Sequence, residues 1–140
     1  MSRAKIPPPC MEFLNSELIE AGEGRARIRF VPDERMENPY GIIQGGILAA
    51  MLDNTIGPAV AFTHPDRASS TIHLSVNFLR SVRAGEAIIG TARVVKSGRR
   101  QAYVEAQLER ERDGALLVRA SATNVFVDLP DSGEDSGGNL

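Results

Sequence analysis

The sequence predicts an α+β fold: a curved antiparallel sheet of about five to six strands wrapped around one long central helix. Three observations predict it. Only residues 44–62 have the length and apolar spacing of a long helix. The segments before and after it alternate apolar and polar residues with the period of half-buried strands. Turn residues, among them Gly24 and the Asp113-Gly114 pair, separate those segments as hairpin turns do.

The elements follow in order. "PPPC" at 7–10 stiffens an N-terminal arm and can start a short helix near "CMEFLNSE". "ELIEAGEGRARIRFVP" reads as two strands around a glycine turn, with Ala26, Ile28 and Phe30 alternating with Arg25, Arg27 and Arg29. "DERMENPYG" is a loop of turn residues. In the helix, Ile47, Leu48, Met51, Leu52, Ile56 and Ala59 form the stripe for the sheet, and Pro58 is expected to kink or end it. In "STIHLSVNFLR", Ile72, Leu74, Val76 and Phe78 are expected to face the helix and Thr71, His73, Ser75 and Asn77 to face away. "GEAIIGTARVVKSG", "RRQAYVEAQLERER" and "ALLVRASATNVFVDL" supply the remaining strands. Residues 1–127 are read as one domain, and 128–140 as an acidic, glycine-rich, disordered tail.

A chain of 140 residues can hold a core of its own, and 42% hydrophobic with 24% charged residues is ordinary for a globular protein. Four of the 18 acids lie in 128–140, which leaves 16 bases against 14 acids over 1–127. That balance is too mild to suggest a nucleic-acid partner. The apolar runs are too short for a membrane span, the N-terminus lacks an apolar leader core, and a cytoplasmic location is expected. The single Cys10 forms no internal disulfide and no Cys-based zinc site. His64 and His73 lack the partners a metal site needs, so no metal is expected, and His64 reads as a solvated loop residue.

"NPYGIIQGGILAAMLDN", residues 38–54, violates local preference. It places two glycines at a helix start and a carboxylate, Asp53, inside an apolar run. Gly45, Ala49, Asp53 and Gly57 recur at four-residue spacing and form a second stripe of minimal side chains around Asp53. Such a stripe either packs tightly within the chain or lets another backbone or a ligand come close. The first N–H groups of the helix have no intrahelical partner and favour a polarised carbonyl or an anion. Asp53 is eight residues beyond Gly45, about 12 Å along the axis. A general base works within about 3 Å of its proton. If both groups are catalytic, Asp53 must therefore come from a second copy with its helix antiparallel alongside.

This string, with the later "STIHLSVNFLRSVRAGE" and "ARVVKSGRR", resembles the hotdog-fold acyl-CoA thioesterases of the PaaI-like, 4-hydroxybenzoyl-CoA thioesterase superfamily, over about residues 35–127. The resemblance implies hydrolysis of an acyl-CoA to a carboxylic acid and CoA at a dimer-interface site. A homodimer is then the minimal unit, a homotetramer is expected, and no cofactor is needed beyond the CoA of the substrate. It implies Asp53 as general base or nucleophile, the Gly45 N–H as oxyanion donor, and Asn38 as the group orienting water or substrate. Gly46 belongs to the same paired-glycine start, and Thr71 would line the acyl pocket. Arg80, Lys96, Gly98 and Arg99 are the expected contacts for the CoA phosphates. One departure matters: the family's histidine before the paired glycines is Gln44 here, which can hydrogen-bond but not titrate near neutral pH. A non-catalytic acyl-CoA binding protein and a hotdog-fold dehydratase are the alternatives. Tyr40, Phe62 and Phe78 hint at an apolar pocket.

Overall fold

A computed structural model describes residues 7–128. Of the tail expected over 128–140, Asp128 is the last residue of a strand, and 129–140 lie outside the described residues.

The chain opens with a one-turn helix, α1 (Pro9–Phe13), with Pro9 in its first turn. Strands β1 (Ser16–Gly22) and β2 (Arg25–Phe30) pair antiparallel around Glu23 and Gly24. Both turn residues have positive φ, 55° and 74°, the left-handed pair that a two-residue hairpin requires. A loop with a short 3-10 turn (Glu34–Met36) leads to the long helix α2 (Gly45–Ala61). Four strands follow: β3 (Arg67–Phe78), β4 (Ile88–Ser97), β5 (Gln101–Arg110) and β6 (Leu116–Asp128). All six form one antiparallel sheet in the order β1-β2-β4-β5-β6-β3. This is the curved sheet around one helix that the alternation predicts, with six strands.

The concave face of the sheet covers α2. Ala26, Ile28, Phe30, Ile88, Ala92, Ala102, Val104, Ala106, Leu108 and Val118 are buried against Leu48, Met51, Leu52, Ile56, Ala59 and Val60. Small residues in the middle strands let the helix lie close. At Gly90, an added Cβ would sit 2.6 Å from Thr55 Oγ1 and 3.0 Å from the Phe30 ring. Thr55 is fully buried there, and its hydroxyl donates to the Met51 carbonyl at 2.8 Å. The predicted helix stripe is thus observed, widened by Thr55 and Val60, with Ile47 half-buried at its edge. Pro58 does not stop α2 at once. The helix runs three residues further and ends at Ala61, because a missing N–H in the last turn removes only one bond.

The assignment of faces along β3 needs correction. A bulge between Thr71 and His73 inserts one residue, which moves later side chains to the opposite face relative to earlier ones. Thr71 pairs with buried Asn124, whereas Leu74, Val76 and Phe78 pair with Ala122, Ala120 and Val118. Thr71 therefore faces the helix, and Ile72 is 60% exposed on the outside.

Candidate active site

Asp53 sits mid-way along α2 on the side the sheet does not cover. Its Oδ1 accepts a hydrogen bond from the Thr71 hydroxyl at 2.7 Å. The bulge in β3 is what turns Thr71 toward it. Among the helix residues 45–61, Asp53 carries the only charge. The stripe it belongs to is open: Gly45, Ala49 and Gly57 are half-buried, and nothing lies within 4 Å of a Cβ added at Gly57. Within one chain this stripe is uncovered at Gly57, while Phe78 lies over Gly45.

At the start of α2 the Gln44 carbonyl accepts from Ile47 and Leu48. The Gln44 side chain makes no cap. The Gly45 and Gly46 N–H groups meet no acceptor among the described residues. They are the orphan donors of a helix N-terminus. Gly46 has room for no Cβ without meeting Gln44 Oε1, which would be 2.8 Å away. Gly45 faces the Phe78 ring, 3.2 Å from where its Cβ would stand. Gly45 therefore has a tight neighbour in a ring, whereas at Gly46 the neighbour is the far end of the exposed Gln44 side chain, which can move aside.

An open cavity of about 310 Å³ lies at this N-terminus, lined by Asn38, Ile42, Ile43, Gly45, Leu48, Phe78, Leu79, Arg80 and Ser81. Asn38 shapes its rim. Its Oδ1 accepts from the Tyr40 N–H at 2.9 Å and the Ile42 N–H at 3.3 Å, and its own N–H donates to the Ile42 carbonyl. Arg80 is exposed at the same rim and held by a 2.8 Å bond to the Leu116 carbonyl. Of the three aromatics expected around a pocket, only Phe78 lines it. Tyr40 is 87% exposed, and Phe62 caps the far end of α2.

The structure brings Asn38, Gln44, Gly45, Gly46 and Arg80 together, and it brings Asp53 to Thr71. It does not join the two groups, because Gly45 and Asp53 are fixed about 12 Å apart on one helix. Lys96, Gly98 and Arg99 form a third group, at the turn between β4 and β5. That turn is tied to the C-terminal end of α2. Gly98 O lies 3.1 Å from His64 Nε2, and Arg99 O accepts from Arg67, which also donates to the Phe126 carbonyl. His64 packs edge-on against Phe126 with centroids 4.3 Å apart. It is a loop residue, as expected, half-buried and packed on Phe126. Sequence reasoning missed this latch, and it missed Asn124, a 2%-exposed polar residue on the helix-facing side of β6. Its signal was a lone amide in the apolar half of an alternating strand.

Among the described residues, no cluster of three or more His, Cys, Asp or Glu side chains could hold a metal ion. No helix among the described residues is long and apolar enough to cross a membrane.

Six antiparallel strands around one helix, with a carboxylate on the helix's open side and free N–H groups at its start, define a hotdog-fold protein with the parts of an acyl-transfer site. The chain belongs to the thioesterase superfamily, whose profile matches residues 40–117, and is a thioester hydrolase by family. Human acyl-coenzyme A thioesterase 13 is 24% identical over 106 residues, which are 76% of each chain. A phenylacetic acid degradation-related protein from Ralstonia eutropha JMP134 has a solved structure with 31% identity and a TM-score of 0.79, over 89% of this chain and 93% of that one. A Caenorhabditis elegans protein named as a provisional esterase is 27% identical over 109 residues, and the chain spans 64% of its length.

Proposed function

We propose that the protein hydrolyses an acyl-CoA to a carboxylate and free CoA at a site shared by two copies. The observation that carries this reading is the geometry of α2. Its exposed, Thr71-held carboxylate and its unpartnered Gly45 N–H are too far apart to serve one carbonyl, and the stripe between them is open. Two antiparallel helices laid side by side along that stripe bring Asp53 of one copy toward Gly45 of the other. The edge position of β3, next to this face, leaves a row of backbone groups for a second copy.

In this site, Asp53 takes the proton of a water that attacks the thioester carbonyl, or attacks the carbonyl itself. The developing oxyanion accepts from the Gly45 N–H of the other copy. The carbon–sulfur bond breaks, and CoA leaves as thiolate and is protonated. Asn38 orients the water or the substrate, and Gln44 and Gly46 border the carbonyl. Arg80 flanks the cavity at one helix end, while Lys96, Gly98 and Arg99 flank the other end. Antiparallel helices set these two groups, from different copies, at one mouth, where they meet the phosphates of CoA. A cytoplasmic homotetramer built from such dimers goes with this reading.

Thiol release from a panel of arylacetyl-CoA and fatty acyl-CoA esters tests it. Asp53→Ala and Asp53→Asn should each lose at least about a hundredfold in kcat, about 2.7 kcal/mol of barrier. Mixing and refolding Asp53→Ala with an equally inactive Gly45→Val variant should restore about a quarter of wild-type activity, because half the dimers then hold one intact site. No recovery on mixing would place the whole site in one chain. Saturable ester binding without turnover would favour a binding protein.

A further inference from the structure

Asn124 is buried to 2% exposure, and its Oδ1 meets no hydrogen-bond donor. Its neighbours on the concave side of β6, Ala122 and Phe126, are buried and apolar. A leucine there would fill similar space with no unpaired polar atom, so the amide sits against the local packing logic.

Register gives the amide a neighbour. Asn124 stands directly opposite Thr71 across the β3–β6 pair, so the two side chains leave the sheet on one face with Cβ atoms about 5 Å apart. The Thr71 hydroxyl spends its single hydrogen on Asp53 Oδ1 at 2.7 Å. That leaves its lone pairs for a donor, and Asn124, which makes no hydrogen bond to Thr71 in this arrangement, carries two N–H groups on the same face of the sheet. From this juxtaposition we infer that Asn124 is a positioning residue for Asp53, acting through Thr71. An Asn124 N–H turned to the lone-pair side of the hydroxyl would hold its hydrogen on the carboxylate and so fix the carboxylate rotamer. The inference rests on the thioesterase reading for its catalytic consequence, but not for the coupling itself.

The charges around Asp53 are few enough for a clean test. None other lies on α2, and the helix-facing positions of β3 and β6 carry only Arg67 and Asp128, at the ends of those strands. Arg67 is engaged with the Arg99 and Phe126 carbonyls and with Asp128.

The experiment uses the full chain as wild type, Asn124→Leu, Asn124→Asp, Thr71→Val and the Asn124→Leu/Thr71→Val pair. Thermal unfolding, the carboxyl titration of Asp53 by NMR in the free protein, and kcat and KM with an arylacetyl-CoA and hexanoyl-CoA are measured. Asn124→Leu should unfold no lower than wild type, yet lose about tenfold in kcat with KM within about twofold. Asn124→Asp should raise the Asp53 titration midpoint by about one pH unit through like-charge proximity, and carry the acid limb of kcat with it. The double variant should lose no more kcat than Thr71→Val alone, because the two residues act in series. An unmoved Asp53 midpoint in Asn124→Asp, or losses that multiply in the double variant, would overturn the inference. Should Asn124→Asp not fold, the Asp53 titration of Asn124→Leu against Thr71→Val decides instead: matching displacements support the coupling, and displacement in Thr71→Val alone removes it. If the wild type hydrolyses no ester, the thioesterase reading falls while the titrations still judge the coupling.

Discussion

On the sheet side of α2, Met51, Leu52, Ile56 and Ala59 are fully buried. On the opposite side, Gly45, Ala49, Asp53 and Gly57 stay partly or wholly open. Both stripes come from one 17-residue helix, yet they answer to different demands. The sheet side is judged by volume: it must fill the space under small strand residues such as Gly90 and Ala92 without voids. The open side is judged by what it leaves free: a carboxylate, a narrow backbone and two unpaired N–H groups. Large side chains on that side would shield Asp53, and a carboxylate on the sheet side would be buried without a partner.

Substitutions on each side should separate stability from activity. Ile56→Ala removes a fully buried side chain and should cost about 2–5 kcal/mol of unfolding free energy in urea titrations. Activity per folded molecule should stay near wild type. Asp53→Ala, the reverse case, should leave the urea midpoint within about 0.5 M of wild type while abolishing turnover. A large stability loss in Asp53→Ala would mean that the Thr71 bond is structural first.

Gly57→Ala sharpens the contrast further. Nothing lies within 4 Å of the added Cβ, so the single chain should gain about 0.5–1 kcal/mol from better helix propensity. If a second copy packs on this stripe, the same methyl should weaken the dimer by sedimentation and lower kcat. A gain in stability with unchanged assembly and turnover would leave the stripe without a partner.

The smallest effect is expected far from either stripe. Asp33 accepts from Arg35 and Asn15, and these bonds, the Arg35 one first, hold its carboxyl well below the usual carboxylate range. A carboxyl depressed on folding adds stability that is fully present above its unfolded value of 3.8 and is lost as pH falls toward its folded value. Asp33→Asn should therefore flatten the acid side of the stability curve below about pH 4, with little change at pH 7 in catalysis. Thermal unfolding across pH 2–7 measures it.

Period and punctuation made most of the fold legible. The alternation in Arg25–Phe30, the Asp113-Gly114 turn and the 44–62 helix each specify an element through local rules, and all are observed within a residue or so. The helix stripe was readable because burial follows the 3.6-residue repeat. What misled was β3, where strict alternation continued through residues 71 and 72. The bulge there depends on how β3 meets β6, and nothing within β3 itself announces an extra residue. The candidate site split the same way. Gly45 and Asp53 stood out as local violations and Asn38 came from the family resemblance, whereas Asn124 and the Arg67–His64–Phe126 latch involve residues far apart in the chain.

The sequence by itself determined the order of elements, the two stripes of α2 and the 12 Å interval that prevents one helix from serving one carbonyl alone, because each depends on neighbours within a few residues. Only the tertiary structure decided that Thr71 turns inward to hold Asp53, that Asn124 stands opposite it with its Oδ1 unpartnered, and that the small-residue stripe stays uncovered by its own chain at Gly57. Strand register and the choice of what a face meets are set by contacts across the sheet, and no window along the chain contains both partners.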